Sequence, residues 1–151
     1  MEVSIRFNQT FLIVKNVKNE PGVGAEIMGD LYELGVDTEY FHATPSPDGK
    51  KSDILIMINN ENLEKTVFGI NTARKKTGGE KTVILTDLTG IIIRGSGTKE
   101  ISQALTKAFS ICTKHEVNVA LVYTTFVSAN LYVSSETVTK EFMDDLRKGF
   151  E

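Results

Sequence analysis

Apolar residues recur along this chain with two alternating periods, which predict a regular succession of strands and helices. Positions that alternate between apolar and polar mark strands, and apolar positions three or four apart mark helices. In the first part of the chain, helical spacing begins at Val23 and stops at Gly35. It resumes between Asn60, a candidate helix cap, and Gly78. The predicted strands of this part lie at residues 3–7, 10–17, 36–44, 52–59 and 81–88.

The same order of elements begins again at residue 90. A strand and a glycine loop over residues 90–97 precede a helix that is marked by apolar residues from Ile101 to Cys112. The last helix follows Ser135, its candidate cap. Between these helices the alternation predicts two strands, at residues 117–125 and 127–133.

The chain is therefore a tandem repeat. Superposing Val36 on Val117 aligns the two copies, and Leu31 then coincides with Cys112. The first copy runs strand, helix, strand, strand, helix, strand. This order predicts an α+β protein with ferredoxin-like βαββαβ repeats, each an antiparallel sheet with both helices on one face.

The repeat predicts a first domain at residues 10–88 and a second at residues 89–151. The second copy has no closing strand before Glu151. Residues 2–8 are predicted to supply that strand and so complete the second sheet. The alternative is that they only extend the strand that follows them.

Composition and charge narrow the classes of function. The chain has 151 residues, of which 40% are hydrophobic and 25% charged, as is typical of a globular protein. The net charge is −3 and no basic face with interleaved aromatic residues is visible, so we expect no nucleic acid as a partner. No apolar run approaches the ~20 residues of a membrane span, and the N-terminal residues lack the pattern of a signal peptide. We therefore expect no membrane partner.

The residues that could carry chemistry are few. Cys112 is the only cysteine, which excludes an internal disulfide and indicates a reducing, cytoplasmic setting. Its apolar neighbours favour a small buried residue over a reactive thiol. The two histidines, His42 and His115, lie in different copies without a catalytic constellation around them. We expect neither a metal nor a cofactor, and we expect that the chain is not an enzyme.

One stretch departs from the helical pattern. Residues 19–31, NEPGVGAEIMGDL, contain three glycines and a proline, although glycine costs roughly 1 kcal/mol relative to alanine inside a helix. Backbone N–H groups at a helix start attract anions, and Gly22 and Gly24 leave them open to a ligand because glycine has no Cβ. The stretch thus predicts a carboxylate site. The alternative is that Pro21 and Gly22 only turn the chain.

The same stretch resembles the first ACT domain in the regulatory half of aspartokinases. It reads Asn-x-Pro-Gly-Val from Asn19 to Val23, as in that family, and Gly35 lies in a segment similar to the family's Gly-Ile-Asn-Val. Residues 122–151 resemble the strand, strand and helix with which those enzymes end. The resemblance covers nearly the whole chain. It implies a tandem ACT protein without the kinase domain, in which the loop before the first helix and interfaces between paired domains bind small effectors, often amino acids.

The loop and the resemblance together define a candidate effector site. In the second copy Phe126 stands where relatives carry a glutamate that helps to hold the effector's amino group, and in the first copy Ala43 and Thr44 replace a frequent glutamine–asparagine pair. These departures leave the effector unnamed. A secondary candidate loop comprises Gly95, Ser96, Gly97 and Thr98. The residues of the main candidate site are Asn19, Glu20, Pro21, Gly22, Val23, Gly24, Glu39, Thr124 and Thr125.

Two classes of function follow from these residues. The first is a regulatory protein, a homodimer that senses an amino acid and acts on a target enzyme. The second is a ligand-free module that serves oligomerisation or pairing with a partner enzyme. The run ILIMI at residues 54–58 is apolar on both faces, so we expect either a partner sheet or elements of the other repeat to cover the second face, and we favour a homodimer. The alternative is a central strand with a few exposed apolar residues.

Overall fold

The computed structural model describes all 151 residues, Met1–Glu151, as six strands and four helices. The hydrogen-bonded strand order is β2-β3-β1-β4-β6-β5. The α+β class and the tandem ferredoxin-like order predicted from the sequence are confirmed. The strands are β1 (Glu2–Lys18), β2 (Tyr40–Pro45), β3 (Lys51–Asn59), β4 (Lys81–Arg94), β5 (Val119–Thr124) and β6 (Ser128–Ser134). The helices are α1 (Val23–Glu33), α2 (Leu63–Thr77), α3 (Thr98–Lys114) and α4 (Lys140–Phe150).

The chain divides into two compact units. One is Asn8–Thr86, and the other is Met1–Phe7 with Asp87–Glu151. The long strands β1 and β4 therefore each contribute residues to both units. The residues at which they pass from one unit to the other, Asn8 and Asp87, have φ values of 57° and 55°. Asn and Asp adopt this left-handed conformation more readily than most residues.

These two residues explain one difference from the sequence prediction. The alternation of apolar residues predicted one strand before residue 8 and a separate strand after it, and likewise one strand before residue 89 and another after it. The structure has one continuous strand in each place, β1 and β4. A single left-handed residue changes the phase of the alternation without ending the strand.

The caps of α2 and α4 are a second difference. The predicted caps Asn60 and Ser135 each begin a three-residue 3₁₀ turn instead. The side chain of Asn59 caps the first of these turns. Thr139 caps α4, with its Oγ1 3.2 Å from a backbone nitrogen of the first helical turn. The predictions of Asn60 and Ser135 as caps were wrong because a tight turn intervenes before each helix.

The Asn8–Thr86 unit has a core between its strands and the helices α1 and α2. Alternate residues of β1 and β3 point into it, as the period of two requires. Met57 of the ILIMI run points to the other face of β3 and is nevertheless fully buried within the single chain. Burial of Met57 therefore does not require a second copy of the chain, whereas Leu55 on the same face is only partly buried. The main core residues are Leu12, Val14, Ile27, Leu31, Ile54, Ile56, Ile58 and Ile70.

The other unit has its own core, which α3 and α4 cover. Val3 and Ile5 of β1 pack against this core, and Arg94 Nη1 donates a hydrogen bond to Ser4 Oγ over 3.1 Å. The N-terminal residues thus share a hydrophobic core with α3 and α4. Cys112 is 2% exposed in the same core, and burial raises the pKa of its thiol. The expectation that Cys112 is a small buried residue is confirmed.

Helices α1 and α3 end alike, as the superposition of the two copies predicts. Gly35 after α1 and Glu116 after α3 both have a left-handed backbone, with φ of 72° and 55°. In each case the next residue, Val36 or Val117, donates its N–H to the carbonyl five residues earlier, over 3.0 and 2.8 Å. This is the hydrogen bond of a Schellman cap, in which glycine is favoured because it has no Cβ.

Replacing Glu116 by glycine is expected to stabilise the protein. The left-handed conformation costs an L-residue about 1–2 kcal/mol, and part of this gain is lost to the greater entropy of glycine in the unfolded chain. The urea unfolding midpoint should therefore rise by the equivalent of about 0.5–1 kcal/mol. The reciprocal variant Gly35→Glu should lower it, and equal midpoints for the two variants would contradict the assignment.

A charged cluster joins the end of α3 to α4. Lys114 Nζ and His115 Nε2 lie 2.6 and 2.9 Å from Asp145 Oδ2. The hydrogen bond from Lys114 and then that from His115 hold the pKa of Asp145 at about 2, below its ordinary value of 3.8. Because the folded state favours the ionised carboxylate, this stabilisation is present above pH 3.8 and is lost as the pH falls toward 2.

Asp145→Asn is therefore expected to lower the thermal midpoint at pH 7, and the difference from the parent should shrink as the pH falls from 4 to 2. Asp144→Asn is the matched control, because Asp144 contacts only Arg147 at 3.9 Å on an exposed surface. Thermal denaturation across this pH range measures both variants. A difference for Asp145→Asn that does not depend on pH would contradict the ionic role.

Candidate functional site

The first loop, residues 19–24, connects β1 to α1 through a glycine that no other residue could replace without strain. Gly22 has φ of 92° and directly precedes the helix. Its carbonyl accepts the backbone N–H of Glu26 over 2.9 Å, which closes the first helical turn. Pro21 before it has a restricted φ and no N–H to satisfy. The geometry of the turn thus accounts for both the proline and the glycine at positions 21 and 22.

Asn19 anchors the loop to the turn between β2 and β3. Its side-chain Nδ2 donates to the carbonyl of Gly49 over 2.8 Å, and its backbone N–H donates to the carbonyl of Lys50 over 3.1 Å. The amide group of Asn19 therefore holds the loop in place.

The first helix starts with donors that the chain does not use. The backbone N–H groups of Gly24 and Ala25 have no acceptor within the protein, and no side chain caps α1. The partial positive charge at a helix N-terminus is concentrated on such groups. An acceptor from outside the chain, such as a carboxylate, would complete their hydrogen bonding.

A shallow groove of about 460 Å³ adjoins the first loop, and Glu20, Pro21, Gly22 and Val23 contribute to its lining. Both signs of charge are present along it. Lys76 lies 3.0 Å from Glu26 and 3.2 Å from Asp30, and the hydrogen bonds to these two carboxylates raise the pKa of Lys76. Glu20 has no such partner, so its carboxylate is available to a cation in the groove.

The second loop, residues 95–98, is built differently, because the protein supplies an anion of its own. The backbone N–H and the hydroxyl of Ser96 both donate to the Glu100 carboxylate, the hydroxyl over 2.9 Å. These hydrogen bonds, the backbone one first, lower the pKa of Glu100. A Cβ at Gly95 would lie 2.7 Å from Glu100 Oε2, so a larger residue there would require the carboxylate to move.

The two helix starts thus differ at one matching position. Glu100 is the third residue of α3, whereas the third residue of α1 is Ala25. The loop before α3 is thus held by a carboxylate from the helix, at Ser96, whereas the loop before α1 has no such contact. The sequence contained a signal for this difference, since a glutamate at the third helical position is a familiar capping pattern.

The remaining predicted site residues are Glu39, Thr124 and Thr125. Glu39 is exposed just before β2, where its backbone N–H donates to the carbonyl of Met57 over 2.9 Å. Thr124 ends β5, and Thr125 stabilises the following turn, with its Oγ1 2.8 Å from Ser128 Oγ. Both threonines belong to the Asp87–Glu151 part of the chain. Within the Asn8–Thr86 unit, Glu39 does not line the groove of the first loop.

Two further kinds of site were searched for in the structure. No group of three or more His, Cys, Asp or Glu side chains is arranged to hold a metal ion. None of the helices has both the length and the apolar character needed to cross a membrane.

Comparison with known proteins identifies the fold. No protein-family model matches the sequence, and no curated protein does. The regulatory subunit of aspartate kinase from Thermus flavus superposes with a TM-score of 0.83 over 100% of this chain and 98% of that chain, at 16% identity.

Complete aspartokinases match over part of their length. Aspartate kinase from Clostridium acetobutylicum gives a TM-score of 0.79 at 16% identity over 99% of this chain and 34% of that one. E. coli aspartokinase III in complex with lysine and aspartate gives 0.66 at 13% identity over 100% and 33%. The expected resemblance to the regulatory half of aspartokinases, with its tandem ACT-type fold, is confirmed as a likeness of structure.

Glu100→Gln tests the internal carboxylate of the second loop. Glutamine keeps the size of the side chain but removes the charge, so the Ser96 N–H should be held less strongly. We expect faster hydrogen exchange of the Ser96 amide and a lower unfolding midpoint. The exposed Lys99→Gln variant serves as the control, and unchanged protection of Ser96 in Glu100→Gln would contradict the assignment.

Proposed function

We propose that this chain, which has the fold of the aspartokinase regulatory subunits, is a non-catalytic regulatory protein that binds an amino acid at its first loop. The observation that carries the proposal is the pair of unused N–H groups of Gly24 and Ala25 at the start of α1. In the second loop the Glu100 carboxylate accepts from Ser96, the residue before the N-cap of α3, and the first loop has no such internal carboxylate.

The charges along the groove fit a zwitterion. The α-carboxylate of an amino acid would accept from Gly24 and Ala25, and its ammonium group would lie against the Glu20 carboxylate. Lys76, which is paired with Glu26 and Asp30, keeps those acidic groups from repelling the ligand carboxylate. The side chain of the ligand would extend along the open groove.

The departures from the family pattern decide which amino acids should be tested as effectors. A related structure is described as a complex with lysine and aspartate, so these two amino acids are tried first. Phe126, 81% exposed, and the pair Ala43 and Thr44 replace polar residues of the family. All twenty amino acids therefore belong in the screen. We propose that Glu39, Thr124 and Thr125 contribute to effector binding when domains pair.

Assembly is part of the same proposal. We propose that the protein is a homodimer that acts on a target enzyme. Its single free cysteine favours the reducing cytoplasm as its location. Tyr32 on α1 and Phe68 on α2 are 83% and 65% exposed, and large exposed aromatic residues are common in interfaces. The same residues also support the second candidate, a ligand-free module that serves only oligomerisation or pairing with an enzyme.

Isothermal titration calorimetry of the full chain against the twenty amino acids tests the proposal. At least one should bind at millimolar concentration or below. Ala25→Glu adds a carboxylate beside the open N–H groups and should weaken that binding by about 3- to 30-fold. Ala25→Gln adds the same bulk without the charge and is the matched control.

The result also separates the two candidate functions. Binding that is lost in Ala25→Glu and kept in Ala25→Gln supports the amino acid sensor. If no amino acid binds, while sedimentation shows a stable oligomer, the ligand-free module is the better description. Binding that Ala25→Glu leaves unchanged would place the ligand elsewhere and contradict the role of the first loop.

A further inference from the structure

A second groove of the Asn8–Thr86 unit is lined by two residues that each have a buried polar atom without a partner. It has a volume of about 260 Å³ and lies between α2 and the start of β4. We call it the Arg74 groove. None of its lining residues belongs to the first loop. They include Val67, Asn71, Arg74, Lys81, Thr82 and Ile84.

One nitrogen of the Arg74 guanidinium group makes a hydrogen bond within the protein, and another, Nε, has no partner. Its Nη1 donates to the carbonyl of Glu80 over 3.1 Å. Its Nε is shielded from solvent and has no acceptor. Because arginine stays protonated in proteins, this donor cannot be removed by titration. The Nε–H group therefore lacks the acceptor that it requires.

The backbone near Arg74 is shaped to hold this side chain in place. A Cβ at Gly79 would lie 2.8 Å from Arg74 Cγ, so glycine leaves the space through which the aliphatic part of Arg74 passes. Ordinary Cβ contacts are not that short, and any larger residue at Gly79 would displace the guanidinium group. The position of Arg74 is thus determined by its surroundings.

The other groups of the groove match the same kind of ligand. The Thr82 hydroxyl is also shielded from solvent and without a partner, and the Asn71 amide and the Lys81 ammonium line the groove. Glu80 also lines the groove, and its carboxylate accepts from Asn16 Nδ2 over 2.8 Å. Arg74 and Lys81 supply two positive charges to the groove against this one carboxylate.

We propose that the Arg74 groove binds a small organic oxyanion, a carboxylate or a phosphate ester with an apolar part. Two oxygens of the anion accept from Nε and Nη2 of Arg74, the side-on geometry that guanidinium groups favour. The Thr82 hydroxyl donates to the same group. Val67 and Ile84, the latter 39% exposed, contact the apolar part. This site is separate from the amino acid site proposed at the first loop.

The test follows the Arg74 Nε–H resonance by NMR in the full chain at constant ionic strength. Inorganic phosphate and butanoate are the two probes, and chloride is the control anion. The Nε–H signal and the Thr82 amide should shift saturably with at least one probe. Phosphate alone, butanoate alone or both would each support the site and identify which oxyanion it prefers.

Two variants and a control show whether Arg74 and Thr82 carry the binding. Arg74→Gln should weaken it about 10- to 100-fold, the range expected for a lost charged hydrogen bond, as read from the Thr82 amide. Thr82→Val should weaken it less. Lys75→Gln removes one positive charge from an exposed position of α2 outside the groove and should leave affinity unchanged.

Three results would overturn the proposal: no saturable shift with either probe at millimolar concentration, the same shift with chloride, or unchanged affinity in Arg74→Gln. If Arg74→Gln does not fold, the parent and Thr82→Val titrations decide, and unchanged affinity in Thr82→Val then overturns it. Ala25→Glu should leave oxyanion affinity unchanged. The two binding proposals can therefore fail independently.

Discussion

The structure depends on two long strands that each serve two hydrophobic cores. Val3 and Ile5 of β1 pack against the core beneath α3 and α4, whereas Leu12 and Val14 of the same strand lie in the core beneath α1 and α2. A strand with one uninterrupted alternation could not meet both requirements. The left-handed Asn8 in β1, and Asp87 in β4, change which face the following side chains occupy. Both grooves discussed above are built on elements that these strands position.

The two helix starts show how the copies of a repeat can differ in detail while keeping their fold. Both α1 and α3 follow a glycine-containing loop. Before α3, the Glu100 carboxylate accepts from Ser96 and holds the loop from within the chain. In α1 the third position is Ala25, which has no carboxylate. One side chain thus distinguishes a loop that is held by an internal carboxylate from a loop that is not.

Much of the fold could be predicted from the sequence because apolar periodicity reports directly on which face is buried. The helix that ends at Gly35, the repeat that aligns Val36 with Val117 and the burial of Cys112 all followed from it. The continuity of β1 and β4 did not, since a left-handed Asn or Asp leaves the same pattern as a loop. In the candidate site, the sequence pattern indicated a turn at Pro21 and Gly22. The anchoring of Asn19 by Gly49 and the unmet donors of Arg74 depend on contacts between distant residues, which local patterns do not encode.

The internal carboxylate of Glu100 has a consequence for stoichiometry. The second loop already holds the Glu100 carboxylate at Ser96, so the proposal assigns a single amino acid per chain, at the first loop. A single site responds to its ligand along a simple hyperbola. Any steeper, switch-like response would have to arise from coupling between copies of the chain in an assembly. The sharpness of such a response would therefore be a property of the oligomer.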